Sequence, residues 1–160
     1  MQKLGINIAA PNLTCICIDG EIGHEGWGKI YHCYSKNGQP FSNIHQLIKL
    51  MDDLMDRLKY PQSSMKFRTF KDNNVKYEGE LIGEQVMDKN DVLKNRGEKG
   101  TFVVHVMYRQ NATWQGEVVW TEKGEVRKFR SALELMKLID SALETQETNE
   151  AEDKETEEKW

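Results

Sequence analysis

The sequence predicts an α+β domain made of two tandem strand-strand-(strand)-helix repeats in a pseudo-twofold arrangement, followed by an acidic, disordered C-terminal tail. Three observations lead to this prediction. A segment recurs 88 residues further along the chain, strand-like and helix-like patterns follow in the same order in each copy, and the C-terminal stretch is strongly acidic. At 160 residues the chain is long enough for one core and too short for two large ones.

We therefore expect a single domain over residues 1–143 and a tail over residues 144–160. Within the domain, the repeats span about 12–59 and 100–143 and are connected by residues 60–99.

The repeat is clearest in two segments, GKIYHCYSKNGQPFSNIHQLIKLMDD from Gly28 and GEVVWTEKGEVRKFRSALELMKLIDS from Gly116. An offset of 88 holds without a net gap, and both copies read Leu-(Ile/Met)-Lys-Leu-(Met/Ile)-Asp at the same place. A match of this length in one register exceeds what shared amphipathicity produces. Two such units would most simply associate around a pseudo-twofold axis and share a core, and whether their sheets merge is open.

Strand signals precede the helical segment of each copy. They cover Leu13–Ile18, Lys29–Tyr34, Phe102–Tyr108 and Glu117–Thr121. Turns containing Asn37-Gly38 and Lys123-Gly124 follow. Pro40 lacks a backbone donor, so we expect the last strand of the first copy to be short or to lie at a sheet edge.

Apolar residues then recur at three- and four-residue steps, which predicts one amphipathic helix in each copy. The apolar positions are Ile44, Leu47, Ile48, Met51, Leu54, Met55 and Leu58 in the first copy, and Ala132, Leu135, Met136, Ile139 and Leu143 in the second. Asn43 with Gln46, and Ser131 with Glu134, have the spacing of a helix N-cap whose third residue reaches back to the backbone.

The connecting segment is mostly polar and has weaker periodicity. Its pattern predicts a strand over Met65–Phe70, a mobile loop, and a short helix near Asp91–Asn95 that ends by Gly97.

The acidity of the chain belongs to its C-terminus. Residues 141–160 contain eight acids and two lysines, a net charge of −6, so the whole-chain charge of −4 leaves residues 1–140 at +2. This balance gives no basic excess for binding a polyanion. We expect a cytoplasmic protein without a membrane span, because no apolar run approaches eighteen residues and the N-terminus lacks a signal-peptide core.

The cysteines and histidines are the residues that could form a metal or catalytic site. Cys15 and Cys17 alternate along a predicted strand, whereas zinc ligands usually lie on turns, so no metal site is predicted. Cys33 and His32 are adjacent on a strand and point to opposite faces. No phosphate-binding or hydrolase motif is present. We predict no cofactor and a non-enzymatic protein with reduced thiols.

The candidate binding surface surrounds the hairpin of the second copy, where aromatic and arginine residues concentrate. Its residues are Tyr108, Arg109, Asn111, Trp114, Trp120, Arg127 and Arg130. Aromatic rings beside guanidinium groups suit contact with a protein or with single-stranded nucleic acid. Alternatively, the tryptophans cover the sheet edge or seat the helix, and the arginines are solvated.

Two segments carry a resemblance to other proteins, RQNATWQG at residues 109–116 and FRSALEL at residues 129–135. With them the chain resembles small uncharacterised proteins of Gram-positive gut anaerobes and their mobile elements, which have no assigned activity. The similarity runs from about Pro11 to Leu143 and is densest over residues 102–143. The resemblance implies a bacterial, cytosolic setting associated with mobile DNA, and no catalytic residue is carried over from it.

Together these observations favour a non-enzymatic binding protein that inhibits or regulates a bacterial protein complex, such as a mobile-element-encoded anti-defence factor that inhibits a nuclease. The expected partner is another protein or protein complex, with homodimerisation left open. The alternative is a nucleic-acid-binding regulator.

Overall fold

The computed structural model describes residues 5–23, 25–63, 68–70 and 84–158. It confirms the predicted α+β class, because the described residues form one six-stranded antiparallel sheet and three helices. The elements in chain order are β1 (Thr14–Ile22), β2 (Glu25–Tyr31), β3 (Gln39–Phe41), α1 (Ile44–Leu58), α2 (Lys89–Leu93), β4 (Gly100–Tyr108), β5 (Gln115–Trp120), β6 (Glu125–Phe129) and α3 (Ala132–Glu158).

The strand order in the sheet is β3-β2-β1-β4-β5-β6. The two central strands, β1 and β4, come from the two halves of the chain, so the strands of both halves belong to one sheet. Their pairing runs from Thr14 opposite Val104 to Ile18 opposite Gly100. β3 is a three-residue edge strand containing Pro40, as expected for a residue that cannot donate to a ladder.

The main core lies between one face of the sheet and the two long helices. Alternate residues of the central strands, including Ile16 and Phe102, point to this face and are almost fully buried. The helices contribute the predicted apolar stripes, with Leu47 and Met51 from α1 and Leu135 from α3. This layer holds both helices on the same side of the sheet.

The opposite face of the sheet is covered by different segments. Val92 of α2 packs there against three buried cysteines, Cys15, Cys17 and Cys33. The α2 helix overlaps part of the predicted Asp91–Asn95 helix. A neighbouring cluster joins Val103 and other strand residues to Leu93 of α2 and Ile6 near the N-terminus. The polar connector therefore contributes three apolar residues that cover the sheet, Met87, Val92 and Leu93.

The strand registers in the two halves agree at an offset of 88. Gly28 pairs with Phe41 across β2 and β3, and Gly116 pairs with Phe129 across β5 and β6. A register shift also falls between Ile18 and Gly20 in β1, and another between Val106 and Tyr108 in β4. Such a shift is typical of a β-bulge, which bends a strand and increases its twist. The two shifts fall at positions that correspond at the offset of 88.

Both predicted helix caps are confirmed. The Asn43 side chain accepts from the backbone N–H of Gln46 at 2.9 Å, and the Ser131 hydroxyl accepts from that of Glu134 at 3.0 Å. The Gln46 side chain accepts from the backbone N–H of Ser42, and the Glu134 carboxylate accepts from that of Arg130. In both helices, the side chain three residues after the cap therefore accepts from the backbone N–H of the residue before the cap.

The predicted strand over Met65–Phe70 lies partly outside the described residues. Residues 68–70, which are described, are not in a strand, and Phe70 is exposed.

The C-terminal segment differs from the expectation of disorder. α3 continues to Glu158, whereas its last buried residue among those described is Leu143. The segment lacks glycine and proline and is rich in glutamate, a good helix former. Hydroxyls of Thr145 and Thr148 donate to the carbonyls of Ser141 and Glu144. We call residues 144–158 of α3 the acidic extension.

None of the helices among the described residues combines the length and the apolar character that a membrane crossing requires.

We predict that Gly116→Ala lowers the free energy of unfolding by about 1–3 kcal/mol, the usual cost of overpacking a core. A Cβ at Gly116 would collide with the carbonyl oxygen of His105 and lie 2.9 Å from Phe129 Cζ. Urea denaturation followed by circular dichroism measures the change.

Gly26→Ala is the matched control. Its Cβ would lie 3.5 Å from Ile18 Cγ2, an ordinary contact, so we expect no loss of stability. Equal stability of the Gly116→Ala variant and the wild type would contradict the close approach of β4 and β5.

Candidate functional site

The structure divides the predicted binding residues between the two ends of β5. Tyr108, Arg109, Asn111, Trp114 and Arg130 lie near the β4–β5 loop, whereas Trp120 and Arg127 lie toward the β5–β6 turn. Gly116 and Trp120 are four residue steps apart along β5, which corresponds to about 13 Å. The seven residues therefore do not form one continuous patch.

The β4–β5 loop has a defined internal structure. Asn111 and Ala112 both have positive φ angles, of 55° and 59°. Asparagine adopts this left-handed conformation more readily than most residues. The side chain of Gln115 then closes the loop, accepting from the backbone N–H of Gln110 and donating to its carbonyl, each at 3.1 Å.

Trp114 is not a surface residue. It is 4% exposed and belongs to the main core with Val106 and Phe129. Its burial corrects the prediction of a binding role and agrees with the alternative that a tryptophan seats the helix. No sequence signal indicates this burial, because the orientation of a loop side chain depends on a turn whose geometry has no clear sequence pattern.

Arg109 is also buried, and it joins the second half of the chain to α1. Its guanidinium contacts Asp56 at 2.6 Å and Asp52 at 3.5 Å, and its Nε donates to the carbonyl of Pro61 at 2.7 Å. Burial and the nearby Asp56 raise the pKa of Asp52, and Arg109 opposes that rise. The structure thus gives Arg109 an internal role in place of the predicted surface role.

Three predicted residues remain accessible at the loop end of β5. Tyr108, Asn111 and Arg130 are exposed, and we call them the loop-end surface. The Arg130 guanidinium donates to the Glu134 carboxylate at 3.1 Å, which raises the pKa of Arg130 and lowers that of Glu134. Arg130 is therefore held at the start of α3 and still faces solvent.

Trp120 and Arg127 line a cavity between the β5–β6 hairpin and α3. The cavity has a volume of about 390 Å³. We call it the hairpin cavity, and its lining residues are Phe102, Val118, Trp120, Lys123, Glu125, Arg127, Leu138, Ser141, Ala142 and Thr145. The sequence prediction included two of these residues, Trp120 and Arg127. It did not include the α3 residues that form the opposite wall of the cavity, whose only sequence signal is a run of small residues.

The cysteine cluster lacks the properties of a reactive site. The Sγ atoms of Cys15 and Cys17 lie 4.0 Å apart, and Cys15 also donates to the carbonyl of Asn95. The bond with Cys17 and burial raise the pKa of Cys15, and burial raises that of Cys33. Neutral buried thiols are poor nucleophiles. Among the described residues, no group of three or more potential ligands has the geometry to hold a metal ion.

The acidic extension is the most strongly charged feature of the chain. Residues 144–158 contain eight acids and one lysine, a net charge of −7. The described acidic side chains, those of Glu144, Glu147, Glu152, Asp153 and Glu155, are all exposed. The last turn holds no base to offset the negative end of the helix dipole.

Comparisons with protein-family models, curated proteins and solved structures found no match to this chain.

We predict that Arg109→Met destabilises the protein by about 2 kcal/mol at pH 7, because it removes a buried cation from two carboxylates. The estimate is below the usual cost of breaking a buried pair because both aspartates are partly exposed. Urea denaturation at several pH values provides the measurement.

The loss should decrease as the pH falls toward 4. Burial raises the pKa of Asp52 and Arg109 opposes that rise, so the part of the stabilisation that Arg109 draws from Asp52 is present when Asp52 is ionised and is lost as that carboxyl becomes protonated. Arg130→Met, at an exposed arginine, should leave stability unchanged. A pH-independent loss would contradict the assigned pairing.

Proposed function

We propose that this chain is a non-enzymatic binding protein that inhibits or regulates a bacterial protein complex, with the acidic extension as its main contact. The observation that carries the proposal is a helix that continues fifteen residues beyond Leu143, the last buried residue of α3 described. The side chains described beyond Gln146 are exposed, and an exposed helix that is polar all round gains little stability alone. A partner that neutralises its carboxylates would stabilise it.

The charge spacing of the extension favours a basic partner. Fifteen helical residues span about 22 Å. The net charge of −7 therefore gives about one negative charge per 3 Å, close to the ~3.4 Å spacing of phosphates along one nucleic-acid strand. A surface that binds a nucleic-acid backbone would attract this helix by the same electrostatic complementarity.

We infer that the partner is a nucleic-acid-processing complex, such as a nuclease of a host defence system. The helix would occupy its basic groove and exclude the nucleic acid. The sequence resemblance of residues 109–116 and 129–135 would place the chain in Gram-positive gut anaerobes and their mobile elements, a setting in which an anti-defence factor would act in the cytoplasm. The loop-end surface would add an uncharged or cationic contact outside the groove.

We also propose that the two halves of the chain are copies of one unit, related by a pseudo-twofold axis. Three features support this: the shared 88-residue offset in the strand registers, the matching bulges and the matching caps. Cys15 and Val103, which correspond at this offset, face each other in the β1–β4 pairing. A twofold axis passing between Cys15 and Val103 would exchange β1 with β4 and would keep the register of their other pairs.

A nucleic-acid-binding regulator is the second candidate. Lys123, Arg127 and Arg130 are exposed on and beside the β5–β6 hairpin, which gives a local cationic surface. This function would require affinity for DNA or RNA that falls steeply with salt, because phosphate contacts release counterions. The acidic extension would oppose such binding, which is why we favour a protein partner.

We predict that the immobilised full chain captures a nucleic-acid-processing complex from the lysate of a Gram-positive gut anaerobe, and that residues 1–143 do not. The triple variant Glu147→Gln, Glu152→Gln and Glu155→Gln should reduce capture at least tenfold, because it removes three charges from the contact. Added DNA should compete with capture. Quantitative mass spectrometry identifies and measures the bound proteins.

The matched control neutralises three exposed acids outside the extension, Glu21, Glu25 and Glu122, and should retain capture. Equal recovery with residues 1–143 would contradict a role for the extension. Salt-sensitive binding of labelled DNA by the purified chain, without a protein partner, would favour the second candidate.

A further inference from the structure

The hairpin cavity has the size and chemistry of a small-ligand site. Its volume of about 390 Å³ falls within the usual range for such sites, about 300–1,000 Å³. Its apolar lining comes from both walls, with Phe102, Val118 and Trp120 on the sheet and Leu138 and Ala142 on α3. Two aromatic residues thus lie in one wall, and such residues favour the flat face of another ring.

The hairpin side of the cavity is cationic. Lys123 and Arg127 stand against one acid, Glu125, so this rim carries a net charge of +1. The Lys123 Nζ lies 6.0 Å from the centre of the Trp120 ring. Arg127 contacts Glu125 at 3.4 Å through side chains that are both more than half exposed, and an ion pair of this kind is weak. The guanidinium can therefore also pair with an anionic ligand.

The helix side offers oxygen acceptors. The hydroxyl of Ser141 donates to the carbonyl of Leu138, and that of Thr145 donates to the carbonyl of Ser141, each at 2.8 Å. Both hydroxyl hydrogens are used within α3, so the oxygens present lone pairs. Among the residues lining the cavity, Lys123 and Arg127 at the cationic rim are therefore the ones that suit an anionic group.

Small residues on α3 create the space. Ser141, Ala142 and Thr145 correspond at the 88-residue offset to Asp53, Leu54 and Arg57 of α1, which are larger. In the first half His32 corresponds to Trp120; it is buried, and its Nδ1 accepts from the backbone N–H of Tyr34 at 3.1 Å. Burial and the charge of Arg57 lower the pKa of His32, and Gln39 opposes this. Larger α1 residues thus correspond to the small α3 residues that line the cavity in the second half.

We propose that the hairpin cavity binds a small aromatic carboxylate. The ring would pack on the apolar lining beside Trp120, and the carboxylate would face Lys123 and Arg127. This binding is independent of the partner proposed for the acidic extension. It would give the protein a ligand-responsive site next to the point where that extension begins.

Titration of the full chain with 2-naphthoate tests the proposal. We expect saturable binding of one molecule with a Kd below about 1 mM, since a ligand of this size gains affinity mainly from buried ring area. The chain has four tryptophans, so nitrogen-proton correlation spectra resolve their indole N–H signals. The Trp120 signal is identified by its absence from the spectrum of the Trp120→Phe variant. In the wild-type protein this signal should shift when 2-naphthoate binds.

Two variants localise the site. Ala142→Leu introduces the residue found at the corresponding position of α1, fills the cavity and should abolish binding. Arg127→Gln should weaken binding about three- to tenfold, because it removes a partner of the carboxylate. Lys128→Gln removes the same charge from the neighbouring residue, which is exposed and does not line the cavity, and should bind normally.

Neutral 2-naphthalenemethanol should bind at least threefold more weakly than 2-naphthoate. The proposal is overturned if 2-naphthoate leaves the Trp120 signal unchanged at millimolar concentration, if folded Ala142→Leu binds normally, or if the alcohol binds as tightly as the acid. If Ala142→Leu fails to fold, Thr145→Met, which places a larger uncharged side chain at the mouth, is read by the same criteria.

Discussion

The pairing of β1 with β4 is the interaction on which the rest of the structure depends. It joins the strands of the two halves into one sheet, with Ile16 opposite Phe102 at its middle. Because the register fixes which side chains face each side, Ile16 and Phe102 lie together under the two long helices, and the cysteines lie on the other face. A shift of one residue would exchange these faces, so the placement of every helix depends on this register.

In the proposed repeat, both halves would share the same paired strands, and each half would be free to change at its helix ends and in its loops. The glycine–phenylalanine pairs and the bulges are alike in both halves. The differences lie at the ends of the helices and in the loops. Arg109 contacts α1, while the position corresponding to it in the first half is Glu21. Small residues on α3 open the hairpin cavity, and α3 continues into the acidic extension, which has no counterpart in α1.

Features with a local physical cause could be predicted from the sequence. The caps at Asn43 and Ser131 depend on residues three positions apart, and the short edge strand depends on Pro40 alone. Features that depend on distant parts of the chain could not. The burial of Trp114 and the pairing of Arg109 with α1 require knowledge of what packs against the β4–β5 loop. In the acidic extension the two sequence signals conflict, because its high net charge favours disorder whereas its glutamates favour a helix.

The central claim, that β1 and β4 join the two halves into one sheet, is tested most directly by cross-strand nuclear Overhauser effects in the labelled protein. Antiparallel partners lie about 4.5–5.5 Å apart at their Cα atoms, so their backbone protons give strong signals. The account predicts contacts between Cys15 and Val103, between Ile16 and Phe102, and along the same register to Ile18 and Gly100. Absence of these contacts, or a register that places Cys15 beside Phe102, would contradict it.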